Sequence, residues 1–323
     1  MRLRRLALIL ILLVSTCGIG SAAKFPAETK NAALRYWMAF AEMQDSSADK
    51  ATQDLLEKTA AGEAAWDEAK LAPILDANSD AINMMQRATK LPECDWGLEY
   101  GRLWKASIAY APRARALARL NTLEGMRELA RGDAQSAVNT WLAGIRFSQD
   151  LAHGGSLIFA LMAKSVLLPD LRSLTQAARN SQLNDAGKRE VFTAIRALPE
   201  DAFDWGSAWE IESVSTEDLL HELQTASDAG ADYKAIMEKP APKHGLPPTN
   251  EDIQKSREYM LAVAGALREP PATAAHVIDG LQPKRAALGE VALSMTPNPQ
   301  GVNAARIEVM TARAELMRAL GVK

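Results

Sequence analysis

Between Ala114 and Ala152 two runs of helix-forming residues meet at Gly132-Asp133, and that corner limits what the chain can become. Glycine supplies the positive φ that a helix C-terminus often needs, and aspartate caps the helix that follows. Beyond the corner, Ala137, Trp141, Gly144 and Ile145 fall on one side of the second helix. Two helices approach closely only where side chains are small, and Gly125 and Ala137 leave that room. The stretch therefore predicts a helical hairpin.

The rest of the chain follows suit. Runs of Val, Ile, Thr and Tyr that would build strands are missing, while Ala, Leu and Met dominate. Hydrophobic residues make up 48% of the 323, ample for a substantial core and incompatible with a disordered chain. The expected fold class is all-α, an irregular bundle or short solenoid of about 10–12 helices with no β-sheet.

In order, Asn31 caps a helix whose apolar stripe is Leu34, Trp37, Met38 and Ala41. A second runs from Asp49 to Ala61, and Trp66 to Met85 gives a third, in one or two pieces. Pro92 and Gly97 mark a loop that carries Cys94 and Trp96. A long helix from Leu103 to Ala130 is expected to bend at Pro112. Further helices follow the Gly132 corner, Ser156, Asn184 and Phe203. Pro240, Pro242, Gly245, Pro247 and Pro248 make 239–250 a loop. Three helices complete the chain: Asp252–Leu267, Ala272–Leu293 with interruptions at Gly280 and Pro283, and Gly301–Leu320. Residues 24–323 read as one domain, the alternative being a boundary in that loop between 24–238 and 251–323.

Residues 1–23 have the pattern of a secretory signal: Arg2, Arg4 and Arg5, the apolar run Leu6–Val14, then Ser21-Ala22-Ala23. The mature chain is then periplasmic or extracellular. A lipoprotein anchored through Cys17, after Val14-Ser15-Thr16, is the second reading, and an uncleaved anchor the third. Nothing later is long and apolar enough to span a bilayer. Loss of three arginines makes the formal charge of −3 more negative still. An acidic chain without a basic cluster speaks against nucleic acid and against an anionic membrane surface. Cys94, left alone, reads as a small buried hydrophobe.

Gly125, Gly132, Asp133, Ala137, Trp141 and Gly144 resemble, in order and spacing, the helical pair of a tetratricopeptide repeat. That resemblance covers residues 114–152 and implies a hairpin. A step of about 34 residues from Gly132 finds Val166 on one side and Leu98 on the other, so no array appears. Tyr36-Trp37-Met38-Ala39-Phe40, Cys94-Asp95-Trp96 and Leu117-Ala118-Arg119 are similar to a group of exported helical bacterial proteins, which implies export and a helical fold but no substrate.

The search for chemistry yields candidates, each with an ordinary explanation. His221-Glu222-Leu223-Gln224-Thr225 begins like a zinc-peptidase helix, but Thr225 stands where the second ligand belongs. Glu217, Asp218 and His221 still share one helical face. His153-Gly154-Gly155 has the look of an oxyanion loop without a Gly-x-Ser-x-Gly nucleophile. Ser47-x-x-Lys50 has the spacing of penicillin-recognising enzymes without their companion motifs, and Ser47 serves as a helix cap. The four histidines, His153, His221, His244 and His276, lie too far apart for a local metal site. Glu210 and Glu212 beside Trp209, then Asp95 and Glu99 beside Trp96, are the acid pairs to inspect. Trp37, Trp141 and Trp209 sit on apolar stripes, where an aromatic fills core. No catalytic residue, cofactor or metal is assigned. The leading expectation is an exported scaffold or interaction module whose partner is another envelope protein, with the oligomeric state open. The alternative is an enzyme or ligand-binding protein with a site assembled from distant helices.

Overall fold

The computed structural model describes residues 28–44, 49–99, 110–153, 155–242 and 244–321. Cys17 and the rest of 1–23 lie outside them, as do Ser47 and Gly154. The described residues form an all-α fold with no β-strand. Its helices are α1 Ala32–Glu42, α2 Lys50–Ala60, α3 Glu68–Ala77, α4 Ser79–Ala88, α5 Ala111–Ala130, α6 Ala134–Ala152, α7 Leu157–Arg179 and α8 Asp185–Arg196. After these come α9 Trp205–Thr225, α10 Ala229–Met237, α11 Asn250–Ala266, α12 Pro271–Gly280, α13 Gln282–Ala286, α14 Glu290–Met295 and α15 Pro299–Leu320.

This is more and shorter helices than the sequence pattern predicts. Asn78 separates α3 from α4, its amide donating to the Ile74 carbonyl and its oxygen accepting from the Gln44 N–H. Near the C-terminus, the Gly280 and Pro283 interruptions and Gly289 divide one expected helix into α12, α13 and α14. Caps fix most other starts. Asn31 accepts from Ala33 N–H, Asn184 from Gly187 N–H, and Thr249 with Asp252 makes a reciprocal capping box before α11. Asp49 caps α2 by accepting from Thr52 N–H. Pro112 does not bend a helix among the described residues; it stands in the first turn of α5, where its missing N–H costs nothing.

The stripe expected for α1 is corrected. Leu34, Trp37 and Met38 are 54%, 43% and 56% exposed, whereas Ala32, Ala33, Tyr36, Ala39 and Phe40 are buried. Both sets have helical spacing, and the partner decides between them. Tyr36 must reach inward to Asp150, and Phe40 stacks in an aromatic column with Trp96 and Tyr110. Trp141 and Trp209 are fully buried as expected, while Trp37 packs edge-on against Phe40, Trp96 and Tyr110 at the margin of that column.

Around the longest helix, α7, the others are arranged. It packs against α6 on its inner side, against α5 and α15 on its flanks, and against α9. On the far side of α5 lies α2, so α2, α5, α7 and α15 follow one another as neighbours. Across the Pro-rich loop, α11 packs on α9. The α15 helix is pinned by Arg306, which is buried and donates to Asp201 Oδ2 at 2.8 Å and to the Glu269 carbonyl at 2.9 Å. Among the described residues no helix is long and apolar enough to cross a membrane.

Candidate functional site

At the α5–α6 hairpin, Gly132 has φ +85° and Asp133 accepts from Ser136 N–H at the start of α6. Gly125 and Ala137 lie within the helix contact, but the room at Gly125 is taken by an aromatic ring. A Cβ added there would stand 2.7 Å from Cε2 of the Trp141 indole, whose N–H donates to the Thr122 carbonyl at 3.1 Å. Gly144 serves a different neighbour. A Cβ there would come within 2.9 Å of Asp170 Cγ, on α7. Gly125 thus admits the Trp141 indole, and Gly144 admits the Asp170 carboxyl with the Asn121 amide beside it.

Asp170 is the unexpected member of this group. It is completely buried, and burial drives its carboxyl well above the usual carboxylate range. Its Oδ1 lies 2.7 Å from Thr122 Oγ1, which also stands 3.1 Å from the Ala118 carbonyl. One hydroxyl proton serves only one of those two contacts. The shorter contact makes Thr122 the donor to Asp170 Oδ1, a bond that opposes the effect of burial on the carboxyl. Beside it, the Asn121 amide donates to the Thr140 carbonyl at 2.8 Å and its oxygen accepts from the Gln86 amide at 3.1 Å.

A second buried acid organises the other end of α6. Asp150 Oδ2 accepts from the Tyr36 hydroxyl at 2.5 Å, and Arg146 approaches Oδ1 at 3.3 Å. The Asp150 carbonyl accepts from the Trp96 indole N–H at 2.7 Å and from Cys94 Sγ at 3.6 Å. Burial raises the Asp150 carboxyl despite the Tyr36 bond, and burial with the nearby carboxylate pushes the Cys94 thiol up to about 12. At neutral pH that thiol is protonated and a poor nucleophile. These contacts pin the 91–97 loop to the body of the protein and describe a core network.

The acids singled out from the sequence do not converge. Glu210 pairs with Arg268 at 2.7 Å. Glu212 turns the other way, accepting from the Ser156 hydroxyl and the Leu157 N–H, so it caps α7 from a distance. Asp95 closes its own loop by accepting from Gly97 N–H, and Glu99 is exposed. His221 is exposed on α9, Glu217 pairs with Arg257 at 3.4 Å, and His153 is exposed at the end of α6. Lys50 opens α2 on the surface. Among the described residues, no three of His, Cys, Asp and Glu gather as a metal site.

What does converge is a set of arginines. Between α2, α5 and α7 lies a hollow of about 360 Å³. Arg115 and Arg119 reach it from α5 and Arg172 from α7, with Glu57 on the α2 side. Ala60, Ala61, Ala118 and Ser165 keep it open. Arg119 pairs with Glu57 at 2.9 Å and Arg172 with Glu308 at 3.3 Å, both pairs solvent-exposed. Among the described residues Arg115 has no ion-pair partner. Arg172 also borders a neighbouring groove of about 380 Å³ between α7 and α15. There Arg179 meets Glu315 at 3.4 Å, one heptad beyond Arg172 and Glu308 on both helices. A larger cleft of about 760 Å³ between α2 and α3 has Asp49, Thr52, Lys70 and Asn78 on its walls. Its polar groups serve one another or the helix ends: Asp49 and Thr52 form the α2 cap, and Asn78 closes α3.

No family model, curated protein or solved structure matches this chain. Its functional reading therefore rests on its own geometry. Arg115 and Arg119 lie four residues apart on α5, so periodicity places them on one face, but nothing local to either segment shows that Arg172 of α7 joins them. Asp170 did leave a trace, as an acid next to a proline inside the apolar run Val166–Leu171.

Proposed function

We propose that the chain is an exported helical interaction module that binds another envelope protein, and that its partner surface is the layer formed by α2, α5, α7 and α15. The observation that carries this reading is the pair of adjoining hollows along that layer, joined at Arg172 and bordered by charged side chains of α2, α5, α7 and α15. Helical arrays present such faces to partners, and the α5–α6 hairpin, with Gly125, Ala137 and Trp141 in close contact, supports a single tetratricopeptide-like unit within a larger helical body. Residues 24–323 act as one folded domain in this reading.

Affinity capture from envelope extract tests it. The tagged mature chain is expected to retain a defined partner, and a variant with Arg115, Arg172 and Arg179 changed to Glu is expected to lose it while keeping its helical signal. Recovery of nothing above background from the unaltered chain sinks the proposal. Export is a separate expectation. Mass spectrometry of the mature N-terminus should give a start at Lys24; an acylated Cys17 replaces secretion with lipid anchoring, and an intact Met1 refutes cleavage.

A further inference from the structure

Resting on that reading, we infer that the hollow between α2, α5 and α7 takes carboxylates, presented by an acidic segment of the partner polypeptide. Three guanidinium groups reach one space of about 360 Å³, against a single lining carboxylate, Glu57. Guanidinium is a planar fork of donors matched to carboxylate oxygens. Arg115 stands ready without a counter-ion among the described residues. Arg119 and Arg172 are held only by exposed pairs, which are weak because water screens both charges. An incoming carboxylate replaces Glu57 or Glu308 with a like group, so the exchange costs little.

Two features favour a polypeptide over a free anion. The first is continuity. Arg172 belongs to both hollows, and Arg179 follows one heptad along α7, so an extended segment with several acids meets successive guanidinium groups by displacing Glu308 and Glu315 of α15 from their exposed pairs. A small anion fills only one. The second is an acceptor in the wall. Pro169 lies inside α7 and has no N–H, so the Ser165 carbonyl is without its helical donor, and both residues line the hollow. A peptide backbone N–H suits that carbonyl, and a fully ionised anion such as sulfate has no proton to offer it. The chain as a whole is acidic, at formal charge −3, so attraction here is local and short-ranged.

The test is fluorescence anisotropy with labelled hexaglutamate on the full mature chain, with hexaglutamine and hexalysine as controls and inorganic phosphate as competitor. Hexaglutamate alone is expected to bind, with affinity falling as salt rises. Arg115→Glu with Arg172→Glu should weaken binding about tenfold or more, whereas Arg257→Gln, on the remote α11, should leave it unchanged. Unchanged circular dichroism and Tm in each variant exclude unfolding as the cause. Absence of hexaglutamate binding overturns the inference. So does equal binding by the double variant, and so does displacement by phosphate at concentrations where equal ionic strength from sodium chloride has no effect. The two proposals fail separately. If the double variant still captures the envelope partner, the interaction reading survives and the carboxylate hollow does not. If hexaglutamate binds but no partner is captured, the reverse holds.

Discussion

The inner and outer sides of the α5–α7 pair treat charge in opposite ways. On the inner side, against α6, an acid is buried whole: Asp170, its ionisation disfavoured by burial, with Thr122 beside it and the backbone of Gly144 closing over it. On the outer side, Arg115, Arg119 and Arg172 border a water-accessible hollow. The same two helices thus build a core in which ionisation is suppressed and a surface on which it is displayed. Stability should reside in the first and recognition in the second. Substitutions can break that division or sharpen it.

The largest effect is expected at the indole that joins the inner helices. Trp141 is fully buried, fills the space left by Gly125 and donates to Thr122. Trp141→Ala should cost about 3–5 kcal/mol, from lost burial and the cavity left behind. Chemical denaturation measures it, and a loss below that of an ordinary surface change would show that the hairpin is not the centre of the core. Gly144→Ala comes next. Alanine favours helix, yet its methyl group meets the Asp170 carboxyl, so a net loss of about 1–3 kcal/mol is expected. Shortening the neighbour should relieve the clash: the penalty should shrink in an Asp170→Ala background. Equal penalties in both backgrounds would place the strain elsewhere.

Asp170→Asn tests neutrality rather than packing. Burial raises the folded-state pKa of Asp170, whereas in the unfolded chain the group ionises near about 3.9. Between those two values the folded state holds a proton that the unfolded state has released. Stability from this group is therefore intact below the unfolded pKa and declines as pH rises toward the folded one. Asparagine has the same shape, accepts from Thr122 without titrating, and removes that decline. The variant should gain on the parent steadily from about pH 4 upward. Asp150, Glu128 and Glu212 are also raised by burial, so a shallower slope of the same sign should persist. Parallel stability curves for variant and parent would mean that Asp170 is ionised in the fold.

The division also explains what the sequence could disclose. The Gly132-Asp133 corner and the caps at Asn31 and Asn184 are local chemistry, written in adjacent residues. All-helical character is equally legible, because propensity and period agree along the chain. The buried face of α1 was not. Leu34, Trp37 and Met38 form as good an apolar stripe as Tyr36 and Phe40, and only Asp150 and Trp96, far away in sequence, select the second. Gly144 was legible as a small residue in a helix contact, but its reason, an acid on the next helix, was not. The hollow is the extreme case. Glu57, Arg115 and Arg172 meet only after three helices have docked, and each alone is an unremarked charge on a solvated face.

The smallest effect is the one that sharpens the comparison most. Arg172 lies at the junction of both outer hollows and pairs with Glu308 at 3.3 Å, with about half of its side chain exposed. Arg172→Gln keeps the aliphatic stem and removes the charge. An exposed pair of this kind contributes about 0–1 kcal/mol, and Lys164 remains to hold Glu308, so the melting temperature should scarcely move. If α7 is neutral inside and cationic outside for separate reasons, this change must leave the Asp170-dependent pH slope untouched. A loss of stability comparable to Gly144→Ala, or an altered slope, would show that the outer arginines help to hold the core, and the two sides of α7 would then be one system.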